Sequence, residues 1–405
     1  MSSTTNPKLL NAAVMVAALG YFVDIYDLLL FSIVRIPSLE SLGQNTLDNG
    51  IFLINMQMAG MLIGGILWGV LGDKKGRLSV LFGSIFLYSL ANIANGLVQS
   101  IEAYAAWRFV AGIGLAGELG AGITLVAEIL PKEKRGLGTM IVASVGLLGA
   151  VFAGILAKFF DWRTCYFIGG GLGMALLLLR IGVSESGMFK QAQEKGISKG
   201  NFFALFNNRK RFVRYMRCIF TGLPTWFVVG VLVTFSPEFA KALGVEGTII
   251  AGDAVMYAYI GLVVGDLVSG LLSQALKSRI KVMFTFLALS GIFTFIYLNA
   301  HGVSQSMIYI LCFALGFSNG FWVIFVTIAA EQFGTNLRAT VTTTVPNFVR
   351  GALVMITIMF ETFKAQYGIL MGAMIVGVIC LSVAFLFLNG MKETFHEDLN
   401  YLEEI

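Results

Sequence analysis

The sequence predicts an all-α membrane protein of twelve transmembrane helices arranged in two six-helix bundles. Hydrophobic residues make up 57% of the 405 positions and charged residues only 13%, about half of the roughly 25% charge usual in soluble domains. Apolar runs of the roughly 20 residues needed to cross a bilayer recur along the whole chain. A motif of the first half also recurs in the second half. Together these three observations favour a polytopic protein with an internal duplication.

The apolar runs can be placed individually and are numbered here as spans 1 to 12. Met1–Pro7 is polar, and the run after Lys8 is too long for a signal-peptide core, so we expect it to be retained as the first span. We expect one bundle at 1–183, a cytoplasmic linker at 184–211 and a second bundle with a charged tail at 212–405. The predicted spans are Leu10–Ile36, Ile51–Leu71, Leu78–Val98, Ala103–Ala127, Leu137–Ala157, Arg163–Val183, Val213–Phe235, Ile249–Ala275, Val282–Asn299, Gln305–Ala330, Ala339–Phe363 and Gly368–Asn389.

Loop charges predict how the chain is oriented. One alternate set of loops holds most of the lysines and arginines, whereas the other set mixes scattered cations with acids. By the positive-inside rule, both termini and the central linker are expected to be cytoplasmic, as in a protein of a bacterial inner membrane. The net charge of +5 is spread over loops rather than gathered on one face, so nucleic acid is not an expected partner. The basic loops are those around Lys74, Lys134, Arg209–Arg211 and Lys277–Lys281.

The internal repeat rests on a glutamate seven residues ahead of an arginine. Glu128 precedes Arg135 in the first half, and Glu331 precedes Arg338 in the second, at an offset of 203 residues. Such spacing at the same place in each half indicates two homologous six-span units. Three further pairs match at this offset: Ala127 and Ala330, Gly117 and Gly320, and Thr124 and Thr327.

Ionisable residues inside the spans are the first candidates for function, because burying them in lipid is costly. Asp24 and Asp27 share one face of span 1, and Asp27 lies about 12 Å from the outer end of that span. Arg108 in span 4 lies about 9 Å deep, so an Asp27–Arg108 pair is possible, and Glu118 lies about 15 Å deep. A carboxylate near an arginine can alternate between pairing and holding a proton. The alternative for each residue is a static ion pair within the bundle.

Arg350 is predicted near the middle of span 11, about twelve residues past Arg338. Its planar guanidinium suits a carboxylate or phosphate, because it can bind either through two parallel hydrogen bonds. The alternative is a structural partner for Glu361 or Asp266, the latter of which we expect to act at a gate. Pro224 and Pro346 are expected to interrupt spans 7 and 11.

Several polar and aromatic residues of the spans are weaker candidates for lining a cavity. Membrane aromatics more often pack or face lipid, so their positions alone do not decide this. The candidates are Tyr26, Asn55, Gln57, Trp226, Tyr257, Asn319, Trp322 and Asn347.

The loop Gly69–Arg77 between spans 2 and 3 joins glycines with charges. Its glycines allow two helices to approach closely. With Asp73, Gly76 and Arg77, the Glu128–Arg135 pattern and its copy in the second half, the chain resembles the major facilitator superfamily over nearly its whole length. Within it, Ile25–Leu28, Gly114–Gly120 and Glu185–Phe189 look like motifs of metabolite:H⁺ symporters, with Gly187 where proline is usual, and sugar porters share parts of them.

The resemblance implies two bundles around a central cavity, alternating access and an inner gate. Asp73 and Arg77 would form this gate with Glu128 and Arg135, and Glu331 and Arg338 would have the matching role. The loop Ser273–Lys281 keeps two cations but not the glycines or the aspartate. We therefore predict that the first-half gate carries more of the closing energy. Arg350 has no counterpart in the resemblance.

The leading hypothesis is a proton-coupled symporter that takes up a small organic solute, with an anion favoured by Arg108 and Arg350. A drug or metabolite efflux antiporter is the main alternative, although span 5 has Gly146, Gly149 and Gly154 without the proline usual in such proteins. A non-transporting membrane receptor is a third possibility. We expect a monomer without metal or cofactor, and no enzyme, since no nucleophile–base pair or metal-ligand spacing is present.

Overall fold

The computed structural model describes residues 12–130, 132–180, 202–395 and 403. Ten helical stretches in this part of the chain are long and apolar enough to cross a membrane, and Met140–Leu156 is a shorter apolar stretch. The helices are α1 Ala12–Ser41, α2 Asp48–Lys75, α3 Arg77–Asn95, α4 Ile101–Leu115, α5 Glu118–Ile129, α6 Lys132–Leu156, α7 Trp162–Arg180, α8 Arg209–Thr221, α9 Leu223–Phe227, α10 Ser236–Ala242, α11 Ala251–Leu276, α12 Arg279–Leu298, α13 Gln305–Ser318, α14 Trp322–Glu331, α15 Thr335–Gly351, α16 Leu353–Tyr367 and α17 Ile369–Asn389.

These helices account for the twelve predicted spans. Span 4 consists of α4 and α5, span 10 of α13 and α14, and span 11 of α15 and α16. Span 7 consists of α8, α9 and a π-helical segment, Val228–Val233, and the short α10 follows it. The predicted linker falls largely on 181–201, outside the described residues.

Spans 4 and 10 are interrupted at equivalent places. The breaks contain Gly117 and Gly320, which are matched by the repeat, and both glycines lie where the chain packs tightly. A methyl group on Gly117 would lie 2.7 Å from the Ser84 side chain, and one on Gly320 would collide with the backbone of Gly265. The duplication read from the sequence therefore extends to the helix breaks.

Two prolines behave differently from the prediction. We expect from the sequence that span 1 ends at Ile36, but α1 continues through Pro37 to Ser41, because transmembrane helices tolerate proline where local adjustments satisfy the freed backbone group. Pro346 lies inside α15, and span 11 is interrupted instead at Ala352. Pro224 does lie at a break, at the start of α9.

The two halves pack along two helix pairs. Span 2 runs against span 11, and span 5 runs against span 8, while span 1 also contacts span 8. The loops around Lys74, Arg209–Arg211 and Lys277–Lys281 lie at one end of the molecule, which is called the basic end here. Arg35 and Glu238 lie at the other end, called the opposite end. The candidate site lies between the halves, midway between these ends.

Candidate functional site

A small cavity lies between the two halves. Its volume of ≈ 20 Å³ has room for about one water molecule, so an organic solute would require the walls to move apart. Three residues of spans 1 and 5 form one wall, and residues of spans 7, 8, 10 and 11 form the rest. The lining residues are Tyr21, Ile25, Leu147, Thr225, Trp226, Val229, Tyr259, Leu262, Trp322 and Arg350.

Arg350 supplies the positive charge of the cavity. It is 1% exposed, its Nη1 donates to Asn347 Oδ1 at 3.4 Å, and its Nε has no partner in the described part of the chain. The indole rings of Trp226 and Trp322 each lie 5.9 Å from its guanidinium carbon. No ion pair joins Arg350 to Glu361, Asp266 or another described carboxylate, so neither of the two structural partners considered for it is present.

Asp24 and Asp27 are both fully buried in α1. In the described part of the chain, none of their four carboxylate oxygens has a hydrogen-bond partner. Asp24 directly precedes Ile25 and lies one turn from Tyr21, so it borders the cavity wall. Asp27 packs against Gly169 of span 6, where a methyl group would collide with its Oδ1. Two buried acids without bonds are costly as anions, which makes both of them candidates for holding a proton.

Arg108 does not pair with Asp27. It donates to Gln57 Oε1 and to the Tyr166 hydroxyl at 3.5 Å, and it lies over the Phe31 ring at 4.8 Å. The predicted ion pair is therefore absent in this conformation, because an amide and a phenol of the same bundle take its place as acceptors.

Glu118 is paired within the first half. Its carboxylate bonds both terminal nitrogens of Arg180, and both side chains are fully buried. Gly20 of span 1 faces this pair, because a methyl group there would collide with both side chains. The structure thus favours the static alternative for Glu118. Arg180 was missed by sequence reasoning, although an arginine inside the apolar run of span 6 was the available signal.

The weaker candidates lie in several different surroundings. Trp226 and Trp322 line the cavity, and Asn347 donates to Ala116 O at 2.7 Å, joining span 11 to span 4.

Other candidates lie away from the cavity. Tyr26 donates to Cys165 O at 2.8 Å, and Asn319 donates to Ser290 Oγ at 3.2 Å, so that each bond lies within one half. Tyr257 is 39% exposed and stacks on Tyr309, so it is not in the cavity. Asn55 accepts from Thr357 at 2.8 Å, between spans 2 and 11.

Asp266 has a structural contact that differs from the expected gate role. It is 2% exposed, and its Oδ1 accepts from the Val323 N–H at 3.2 Å. This bond satisfies one of the free N–H groups at the start of α14. The carboxylate therefore stabilises the second half of the broken span 10, next to Trp322.

The opposite end is closed by an ion pair between the halves. Arg35 Nη1 lies 2.8 Å from Glu238 Oε1, and its Nη2 donates to Oε2 at 2.9 Å. The guanidinium also lies 4.5 Å from the centre of the Phe235 ring. The two paired residues are 203 positions apart, which is the offset of the repeat. Equivalent positions can contact each other only near the pseudo-two-fold axis, so this pair marks that axis.

The basic end has a second polar cluster within the second half. Glu331 accepts two bonds from Arg279, at 2.7 and 2.8 Å, and one from the Thr394 hydroxyl at 2.6 Å. Arg338 donates to Ala330 O at 3.0 Å and to Phe333 O at 3.2 Å. The side chains of Asp73, Arg77, Glu128 and Arg135 lie outside the described residues, so the first-half gate and the predicted asymmetry of closing energy stay predictions.

Among the described residues, no group of three or more histidine, cysteine, aspartate or glutamate side chains is arranged to hold a metal ion. The four cysteines are buried and free. The charged groups at and beside the cavity are Arg350, Asp24 and Asp27, and much of the cavity wall is aromatic.

Comparisons with known proteins agree with this architecture. The chain is 25% identical over 385 residues to a Haemophilus influenzae protein named for metabolite transport, covering 92% of this chain and 90% of that protein. It is 25% identical to the sialic acid transporter NanX of Escherichia coli, covering 76% and 75%. A 28% identical segment of 159 residues, covering 38% and 36%, relates it to the niacin transporter NiaP of Acinetobacter baylyi.

A solved D-xylose-proton symporter has the same fold, with a TM-score of 0.70 at 17% identity over 95% of this chain and 98% of that one. Residues 14–356 match the Major Facilitator Superfamily. The chain is a membrane transporter rather than an enzyme, and it belongs to the Major Facilitator Superfamily.

Proposed function

We propose that the protein is a proton-coupled symporter that takes up a small organic anion by alternating access. The observation that carries the proposal is the pairing of two incomplete sites in the centre. In the described part of the chain, Arg350 forms no ion pair with a carboxylate, and the carboxylates of Asp24 and Asp27 in the facing half form no hydrogen bond. An anion would complete the first site, and protons would remove the charge from the second.

The coupling follows from these charges. Without solute, the buried cation and ionised acids partly compensate one another across the cavity. An entering anion takes the place of the acids as counter-charge, so that an aspartate is then more stable with a proton. Solute and proton therefore bind together. Glu118 has its own partner, which leaves Asp24 and Asp27 as the proton-binding candidates.

The remaining features fit an uptake carrier of a bacterial plasma membrane. The positive loops favour a cytoplasmic basic end with both termini on that side. The relatives named for sialic acid and niacin support an organic solute, and the D-xylose-proton symporter supports proton coupling on this fold. We propose that the monomer is the working unit, since both halves of the duplicated chain contribute residues to the cavity lining.

Transport in proteoliposomes tests this function. With an imposed inward proton gradient, a panel of radiolabelled organic acids should include one that accumulates. Asp27→Asn or Asp24→Asn should abolish accumulation while exchange of internal for external solute continues, because exchange needs no net proton movement. Glu40→Gln likewise replaces a carboxylate by its amide, at an exposed position, and this variant should accumulate solute normally.

Two outcomes would overturn the proposal. Accumulation at wild-type levels in both aspartate variants would remove them from coupling. Solute moving out of the vesicle interior as protons move in would indicate the antiport alternative.

A further inference from the structure

The polar groups of the cavity lining are hydrogen-bond donors or hydroxyls. Four of these groups have no partner in the described part of the chain: Arg350 Nε, Trp226 Nε1, Thr225 Oγ1 and Tyr21 Oη. The described lining contains neither a carboxylate nor an amide. Unpaired buried donors are costly, so the lining is complementary to a solute whose polar atoms accept hydrogen bonds.

The walls around Arg350 are aromatic. Trp226 and Trp322 come from spans 7 and 10 and both approach the guanidinium, while Tyr21 and Tyr259 of spans 1 and 8 belong to the same lining. Trp322 is itself held by stacking on Phe325, with ring centres 5.2 Å apart. Aromatic faces gain additional stabilisation from another flat ring, beyond that of the area buried.

We propose that the solute is a planar monocarboxylate, with an aromatic or conjugated ring against the tryptophans and its carboxylate on Arg350. This inference rests on the proposed function and narrows its solute class. One guanidinium balances one negative charge, and a second carboxylate would be buried without a partner, which is unfavourable. A puckered saturated ring of the same size makes fewer close contacts with an indole face than a flat ring does, and it lacks the charge distribution of an aromatic ring.

Four simple probes test each part of the inference in purified, detergent-solubilised protein. Benzoate has the full pattern, cyclohexanecarboxylate lacks the planar ring, benzamide lacks the charge and phthalate adds a second charge. Titration calorimetry or quenching of tryptophan fluorescence gives the dissociation constants. Benzoate should bind about tenfold more tightly than each of the others, a difference of about 1.4 kcal/mol.

Tryptophan variants test whether the ring is recognised where we place it. Trp322→Leu and Trp226→Leu should bring the benzoate to cyclohexanecarboxylate ratio close to one. Trp107→Leu, a partly buried position of span 4 outside the lining, should keep the ratio. Trp→Phe at the same two lining positions retains a flat ring and should keep most of the preference for benzoate. These phenylalanine variants also provide the test if a leucine variant does not fold.

Equal affinities of wild-type protein for benzoate and cyclohexanecarboxylate, or no binding of either, would overturn the inference. Proton uptake into proteoliposomes separates this failure from failure of the function. If the saturated acid drives proton uptake as well as benzoate, the inference fails and symport stands. If benzoate binds tightly but moves no protons, the solute class stands and symport fails.

Discussion

Spans 1 and 11 lie on facing sides of the central cavity and carry buried charges of opposite sign. Asp24 and Asp27 belong to the first half, and Arg350 belongs to the second. The positions 203 residues from Asp27 and Arg350 are Gly230 and Leu147, so the duplication did not keep these charges. The halves share the break at Gly117 and Gly320 in spans 4 and 10, but they differ in the buried charges that face the cavity.

A second contrast lies within the first half itself. Glu118 and Arg180 satisfy each other in one buried pair, whereas Asp24 and Asp27 have no bonded partner among the described residues. The pair has the features of a structural element, and the two aspartates have those of a working site.

Breaking the Glu118–Arg180 pair should give the largest change in stability. Arg180→Gln leaves a buried carboxylate without its partner, which typically costs about 3–5 kcal/mol. Thermal unfolding in detergent should show a lower midpoint, with proton coupling retained in the folded fraction. The double variant Glu118→Gln with Arg180→Gln should recover much of the loss. Loss of coupling at unchanged stability would instead make Glu118 a proton-binding residue.

Arg350→Gln should weaken binding of the anionic solute by at least about thirtyfold, since losing one partner of a buried charge pair costs about 2–5 kcal/mol. Arg350→Lys should recover part of the affinity, because lysine keeps the charge without the planar fork. The measurement is a titration with the transported acid. Arg209→Gln removes an arginine from the exposed start of α8 and serves as the control. Unchanged affinity in Arg350→Gln would place the anion elsewhere.

The comparison also shows what could be read from the sequence. Apolar runs were sufficient to predict the twelve spans, because the bilayer imposes length and polarity locally. The burial of Asp24, Asp27 and Arg350 followed for the same reason. The hydrogen-bond partners of the buried charges could not be predicted in this way. Arg108, for example, has several acceptors within reach and donates to Gln57 rather than to Asp27.

The pair at the opposite end was missed for a different reason. The pattern of loop charges groups Arg35 with the scattered cations of the less basic loops, yet α1 continues past it to Ser41. Its partner, Glu238, is half the chain away, where spacing along one helix is uninformative. The offset of 203 residues was nevertheless present in the sequence, and comparing charges at that offset would have identified the pair.

The Arg35–Glu238 pair should bias the protein toward a closed opposite end. Glu238→Gln leaves Arg35 buried without its counter-charge, at a cost of about 1–3 kcal/mol because Glu238 is 17% exposed. A Thr234→Cys reporter beside the pair should then react several-fold faster with a membrane-impermeant thiol reagent. The native cysteines are buried, and the reporter in the otherwise unchanged protein gives the baseline.

Exchanging the two charges sharpens this test. Because Arg35 and Glu238 occupy equivalent positions, Arg35→Glu with Glu238→Arg rebuilds the pair in the reverse direction. Labelling of the reporter should return part of the way to the baseline, since the bonds of Arg35 to Thr46 O and Thr234 O are not transferred. No recovery at all would mean that those carbonyl contacts, rather than the ion pair, close this end.

The smallest effect is expected at the basic end of the second half, where Glu393 covers the start of α12. Partial burial raises the pKa of Glu393, but hydrogen bonds from Ser278 and from the Arg279 and Ile280 N–H groups outweigh it and hold the pKa below its usual value. A depressed carboxyl pKa adds stability above the unfolded value of about 4.3, and this stability is lost as pH falls through the folded pKa.

Glu393→Gln should therefore lower the free energy of unfolding at neutral pH by less than about 1 kcal/mol, as expected for a partly exposed group, and should not lower it once the pH is well below 4. The measurement is the unfolding midpoint at each pH. Glu40→Gln, an exposed change at the opposite end, controls for general charge effects. A difference that persists unchanged in acid would show that Glu393 stabilises the tail through packing. In that case the basic end of the second half would depend on shape rather than on charge.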